Sequence, residues 1–279
     1  MFYWLARAVV APLIRAIYRP WIRGAHHVPS KGPAILAGNH LAVIDSFFLP
    51  IMIPRRVSFI AKADYFTGRG LKGRLVAGFM RGVGMIPVDR SGGKAAMASL
   101  EQGLKVLEKG QLFGIYPEGT RSPDGRLYRG KTGVARLALE SGAPVIPVVM
   151  VGSDLAQPIG KRIPKLVRVG VVVGEPMDFS QYTGRQSDRF VLRSVTDQIM
   201  YRLMELSGQE YVDVYAATMK ARLAAGASAP KAEAEPTAPG GRPRPAGLVA
   251  PEPPAEPTTE PQDSPQTEDQ AGPAGSEQE

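Results

Sequence analysis

Cysteine is absent from the 279-residue chain. Disulfides, thiolate metal sites and a cysteine acyl-enzyme are therefore excluded, and the cytosol is allowed as a compartment. No uncharged apolar stretch approaches the roughly 18 residues needed to span a bilayer. A cleaved signal peptide is not expected at the start, because Arg7 interrupts the apolar run and no small-residue cleavage site follows. The last fifty or so residues lack large apolar side chains almost completely. From Gly226 onward the chain holds twelve of the 26 prolines, with three basic and ten acidic residues. Such a segment buries too little surface to offset its ordering entropy, so residues 226–279 are expected to be a disordered Pro/Ala/Glu-rich tail.

The net charge of +8 is therefore concentrated in the first 225 residues. A strongly basic body suits nucleic acid, an anionic membrane surface, or an acidic substrate such as a phospholipid or coenzyme A. Nucleic acid is the weaker choice, since the cations lie in loops between apolar runs and no nucleic-acid-binding motif is present.

Residues 1–23 combine aromatic and aliphatic side chains with arginine. At about 100° per residue, Arg7, Arg15 and Arg19 fall on one third of a helical wheel, with Phe2, Leu5, Val9, Leu13 and Ile17 opposite. This predicts an amphipathic interfacial segment over 1–24, with Tyr3, Trp4 and Tyr18 suited to a headgroup boundary. An ordinary helix packed on the body carries the same wheel. His26 and His27, which follow, read as surface residues.

Beyond this, short apolar runs alternate with helical periodicity. Strands are predicted over 33–37, 57–62, 85–88, 111–116, 145–151 and 167–173. Helices are predicted from residue 47, over 92–110, 131–141 and 187–206, the last with Phe190, Val191, Val195, Ile199 and Leu203 as its apolar stripe. The alternation argues for an α/β fold with a mostly parallel central sheet flanked by helices, occupying 25–225. Functional residues are then expected at strand ends and on the loops beyond them.

The stretch 37–46 places His40 and Asp45 just after the first of these strands. On a regular helix a five-residue offset separates side chains by about 140°, so the two meet only if the chain turns between them. If they meet, the carboxylate fixes the imidazole tautomer and the free ring nitrogen accepts a proton from a hydroxyl. Taken alone, Asp45 also reads as the N-cap of the following helix, and His40 as a satisfied, half-buried histidine.

Three further blocks accompany this pair: Gly-Met-Ile-Pro-Val-Asp-Arg at 84–90, Tyr-Pro-Glu-Gly-Thr-Arg-Ser at 116–122 and Val-Ile-Pro-Val at 145–148. With Asn39, His40 and Asp45, in this order, they resemble the four blocks of the glycerolipid acyltransferase family over about residues 25–210. The resemblance implies acyl transfer from acyl-CoA or acyl-ACP (acyl carrier protein) to the sn-2 hydroxyl of 1-acylglycerol-3-phosphate. The product would be phosphatidic acid, formed at the cytoplasmic face of the cell membrane. Another lysophospholipid, glycerol-3-phosphate or an aminolipid remains open as acceptor, as does a membrane-binding protein that keeps the fold without turnover.

By the same resemblance, His40 is the base and Asp45 its orienting partner. Lys62, Arg90, Glu118, Gly119, Thr120 and Arg121 bind the acceptor. No metal and no cofactor beyond the acyl donor is implied. Lys62 also reads as a solvated strand-end lysine, and Glu118 to Arg121 as a plain strand-to-loop turn. The residue types suit the acceptor role, because glycine admits close approach to the backbone and arginine presents a fork of donors to a phosphate. Arg126, Arg129 and Lys131 fit the acceptor headgroup, the diphosphate of coenzyme A or the membrane surface equally. The chain departs from the family pattern at Tyr116, where phenylalanine is commoner, and at Leu41 and Ala42, where small polar residues are frequent.

Overall fold

The computed structural model describes residues 2–88, 95–161 and 163–226. Arg90 and the tail from residue 227 lie outside the described residues. The chain opens with α1 (Phe2–Tyr18), β1 (Trp21–Arg23), β2 (Ala34–Gly38), α2 (Asp45–Met52), β3 (Val57–Lys62), α3 (Gly70–Gly82) and β4 (Met85–Val88). It continues through α4 (Ala95–Glu108), β5 (Leu112–Ile115), β6 (Leu127–Tyr128), α5 (Gly133–Ser141), β7 (Val145–Val151) and α6 (Ser153–Ala156). The described part closes with β8 (Gly170–Val173), α7 (Arg189–Ser207), β9 (Tyr211–Val212) and α8 (Ala216–Ala224).

Seven strands form one sheet in the order β1-β8-β7-β2-β5-β3-β4, and only the β7–β8 pair is antiparallel. The α/β architecture with a mostly parallel sheet is thus as expected. Its centre is β2, paired with β5 on one side and β7 on the other. Every residue of β2 is buried, which is why Ala34 to Gly38 read as an unbroken apolar run rather than an alternating one. A separate two-stranded ladder joins β6 to β9.

The expected interfacial segment over 1–24 is not a single element. The helix stops at Tyr18, Arg19 takes a positive φ of 43°, and Trp21–Arg23 leave as the edge strand β1. Pro20 explains the stop, because a residue ahead of proline is driven from the helical region and proline has no N–H to continue the ladder. Trp21 is buried against β8, where Gly170 leaves room for its indole; a Cβ there would lie 2.2 Å from the ring.

Within α1, Arg15 donates to the Ile51 carbonyl and Tyr18 sits edge-on to Phe48, so one side of the helix is docked. Val9, Leu13 and Ile17 stay exposed. The helix α3, absent from the sequence expectations, packs beside α1 and also exposes Leu71, Leu75 and Phe79.

Two smaller expectations are corrected. Phe190 is 86 % exposed, and Leu192 takes its place on the buried face of α7. Asp188 caps that helix by accepting from the N–H groups of Phe190 and Val191, which sets the first turn with Phe190 outward. His27 is no free surface residue: its Nδ1 lies 3.0 Å from the Val173 carbonyl oxygen.

Candidate active site

The parallel strands β2, β3 and β5 run in register, so their carboxyl ends deliver Gly38, Lys62 and Ile115 to one edge of the sheet. His40 lies two residues beyond β2, and the Glu118–Arg121 loop three beyond β5. The turn required between His40 and Asp45 is present. Asp45 is the first residue of α2 and wholly buried, and its Oδ2 lies 3.1 Å from Nδ1 of His40. The helix cap is Ile44, not Asp45.

The same Oδ2 accepts the backbone N–H groups of Leu41 and Ala42, each at 2.8 Å. One carboxylate oxygen therefore folds the loop and orients the ring. With Nδ1–H directed at Asp45, Nε2 carries the free lone pair. The His40 side chain is 16 % exposed, enough for a small hydroxyl to reach it.

Two aromatic rings back the imidazole. Tyr116 lies flat on His40, with centroids 3.9 Å apart and planes 7° from parallel, and Phe59 stacks behind Tyr116 at 5.4 Å. Gly114 gives Phe59 its place, since a Cβ at 114 would come within 2.2 Å of that ring. The Tyr116 hydroxyl pairs with Ser46 Oγ at 3.0 Å, fixing the ring to the first turn of α2. Burial, and next the charge of Asp45, push this phenol well above its ordinary pKa, so it stays a neutral hydrogen-bonding partner.

The backbone of His40 is held by the loop after β5. Its N–H donates to Glu118 Oε2 at 3.1 Å, and its carbonyl accepts from the Ser122 N–H at 2.7 Å. Glu118 Oε1 accepts the Tyr128 N–H at 2.9 Å. Glu118 is only 1 % exposed, and both of its oxygens are taken by backbone N–H groups, those of His40 and Tyr128. Burial pushes its carboxyl up to about 7, although both backbone N–H groups favour the ionised form. Asn39, the other polar residue of the His40 block, is equally internal. It exchanges two hydrogen bonds with the backbone of Met150 and donates to Gln209, tying the ends of β2 and β7 together.

Gly119 takes a φ of 72°, a conformation that L side chains rarely adopt, and the Lys131 side chain crosses the space a Cβ would fill. Thr120 and Arg121 follow in the half-exposed part of the loop. Lys62 closes β3 at the same edge with its ammonium paired to Asp64. Arg126 and Arg129 have internal partners. Arg126 binds Asp124 and Glu210, while Arg129 pairs with Asp213 at 3.4 Å and covers the Tyr215 ring.

One cation at the site escaped the sequence reading. Lys220 of α8 donates from Nζ to Thr120 Oγ1 at 2.7 Å. The helix-forming composition of 216–224 was a legible signal for α8, but no local pattern connects it to residue 120.

A histidine–aspartate pair on the carboxyl edge of a mostly parallel sheet, beside a glycine- and cation-bearing loop, is an arrangement that can take a proton from a hydroxyl. Residues 19–151 match the family model described as Acyltransferase. The match contains His40, Asp45, Lys62, Arg90 and the whole Glu118–Arg121 loop. The chain is 33 % identical over 173 residues to the 1-acyl-sn-glycerol-3-phosphate acyltransferase of Limnanthes alba, covering 61 % of this chain and 58 % of that protein. It is 25 % identical over 188 residues to the Bacillus subtilis protein of the same name, covering 66 % and 85 %. The chain thus spans little more than half the length of the Limnanthes relative. Its fold is similar to the crystal structure of the 1-acyl-sn-glycerophosphate acyltransferase PlsC of Thermotoga maritima. That likeness has a TM-score of 0.53 and 24 % identity, covering 72 % of this chain and 80 % of that one.

Proposed function

We propose that this chain transfers a fatty acyl group from an acyl-CoA or acyl carrier protein thioester to the free sn-2 hydroxyl of 1-acylglycerol-3-phosphate, forming phosphatidic acid. The observation that carries the reading is the His40–Asp45 pair, with Nδ1 held by Asp45 and the histidine side chain 16 % exposed at the sheet edge that also carries the Gly119–Arg121 loop. The names of the similar proteins support the same reaction.

In the proposed step the acceptor hydroxyl gives its proton to Nε2 of His40 as its oxygen bonds to the thioester carbonyl carbon. Asp45 steadies the imidazolium. Collapse of the tetrahedral adduct breaks the C–S bond, and the departing thiolate recovers the proton from His40. An ester and a free thiol result, with the base restored. Arg121, Thr120 and the open backbone at Gly119 hold the acceptor phosphate, with Lys62 and Arg90 as further contacts, so that attack becomes effectively intramolecular. Glu118 acts by fixing the His40 backbone. The reaction needs no metal and no cofactor besides the acyl donor.

The catalytic unit is assigned to 25–225 and works at a membrane surface, on the cytoplasmic face where the acyl donors are made. Exposed Val9, Leu13 and Ile17 of α1, beside exposed Leu71, Leu75 and Phe79 of α3, support insertion of these faces at the headgroup boundary. Among the described residues no helix is long and apolar enough to cross a bilayer.

The test is thiol release from an acyl-CoA by purified protein in detergent, with and without lysophosphatidic acid, beside His40→Ala. Acceptor-dependent release lost in the variant is the expected result. Release with a different lysolipid only would move the acceptor assignment, and silence with every acceptor and both donor types would refute turnover.

A further inference from the structure

We propose that Lys220 is a specificity residue for the acceptor headgroup, forming with Arg121 and Lys131 a cluster of three cations that selects a phosphate monoester over a zwitterionic phosphodiester. This deepens the acyl-transfer reading and rests on it for the identity of the acceptor. Lys220 lies outside the residues that match the family model. It reaches the loop only through tertiary structure, by its 2.7 Å hydrogen bond to Thr120 Oγ1.

The contrast with neighbouring cations carries the argument. Arg126 and Arg129 each have a carboxylate partner. Among the described residues, Arg121, Lys131 and Lys220 form no ion pair, yet all three are gathered on the Gly119–Arg121 loop. Glu118, at the start of this loop, is buried with both oxygens held by backbone N–H groups. Burial, and then the charge of Arg121, depress the Lys220 ammonium, with Glu118 opposing. An anion set among cations gathered on one loop relieves their mutual repulsion.

Thr120 completes the site. Its oxygen accepts from Lys220, so its own O–H is left to donate to a ligand. A phosphate monoester carries a charge of about −1.5 to −2 near pH 7 and three acceptor oxygens, matching three cations and a hydroxyl. A choline-type diester has one negative charge and brings a cation that the cluster repels.

The position of Lys220 does not depend on its own contact. Ala216 and Met219 pack with Tyr128, and Arg129 bonds Asp213 and covers Tyr215 just before the helix. Lys220→Met is therefore expected to fold, and Lys220→Arg restores the charge.

The experiment measures calorimetric binding of glycerol 3-phosphate and of glycerophosphocholine to the full chain, beside KM and kcat with lysophosphatidic acid and lysophosphatidylcholine. Lys220→Met should weaken glycerol 3-phosphate binding about tenfold or more, equivalent to about 1.4 kcal/mol. It should raise the KM for lysophosphatidic acid similarly and leave the choline compounds unaffected, with Lys220→Arg recovering most of the loss. Unchanged binding in Lys220→Met, equal loss for both headgroups, or no binding by the wild type overturns the proposal. If no acceptor supports thiol release but Lys220→Met still loses glycerol 3-phosphate, acyl transfer falls and the anion site stands. If release is intact and Lys220→Met is indifferent, the reverse holds.

Discussion

The ring of Tyr116 lies parallel to the imidazole of His40 at a centroid distance of 3.9 Å. Phenylalanine is commoner at this place in the family pattern, and here the added hydroxyl reaches Ser46. Tyr116→Phe keeps the plate and should hold kcat within about threefold. Tyr116→Leu removes it, and a stacking contribution of about 0.5–1.5 kcal/mol corresponds to a drop in kcat of about two- to twelvefold. Steady-state thiol release compares the two.

His40→Ala should reduce acyl transfer by about a thousandfold or more while leaving the thermal midpoint nearly unchanged. Asp45→Asn should be worse for the fold. Its Oδ2 serves Leu41 and Ala42 as well as His40, so losing the charge costs about 1–3 kcal/mol of stability. The wrong tautomer lowers kcat by about 10²–10⁴. Urea unfolding beside kinetics separates the two effects.

Glu118 makes stability depend on pH in an unusual direction. Its folded-state pKa of about 7 lies above the ordinary value of 4.5. Between these values the folded state holds more protons than the unfolded one, so this group's contribution is full below pH 4.5, falls as pH rises, and is flat above 7. Glu118→Gln should remove that slope from urea unfolding curves collected between pH 5 and 8. A slope identical in the variant would assign it to other groups.

Gly114→Ala is expected to cost both stability and activity. The new methyl would overlap the Phe59 ring, and such overpacking typically costs about 1–3 kcal/mol. Phe59 supports Tyr116, which supports His40, so kcat should fall as well. Gly142→Ala, at a helix end with open space around it, gives a control that strains a glycine without touching the stack.

Membrane association should depend on the apolar faces of α1 and α3. Leu13→Glu together with Leu75→Glu removes two exposed leucines, each worth about 1.5–3 kcal/mol when buried. Co-sedimentation with anionic phospholipid vesicles should drop at least tenfold. Thiol release with detergent-solubilised acceptor should persist.

The sequence by itself determined the main strands, their alternation with helices and the residues of the dyad. These features are local: an apolar run such as 34–38 is a strand because a buried parallel strand must be apolar on both faces. It also determined that His40 and Asp45 can meet only across a turn. Local periodicity failed for β1, whose three residues are too few to show a period and whose partner β8 lies far along the chain. It failed also for Phe190, which the first turn capped by Asp188 turns outward while Val191, Val195, Ile199 and Leu203 of the same stripe stay buried.

Tertiary structure alone decided which charges are occupied and which face a ligand. Glu118 and Arg129 look like site residues in the sequence, yet they are held by groups 10 to 84 positions away, and Arg126, bound to nearby Asp124, also reaches Glu210. Lys220 looks like an ordinary helix lysine, yet the fold brings it across 100 positions to Thr120. The physical reason is the reach of the interactions. Burial and periodicity act on neighbours along the chain, so they are legible there, whereas the pairing of two charges depends on a distance in space that only the packed sheet and its helices set.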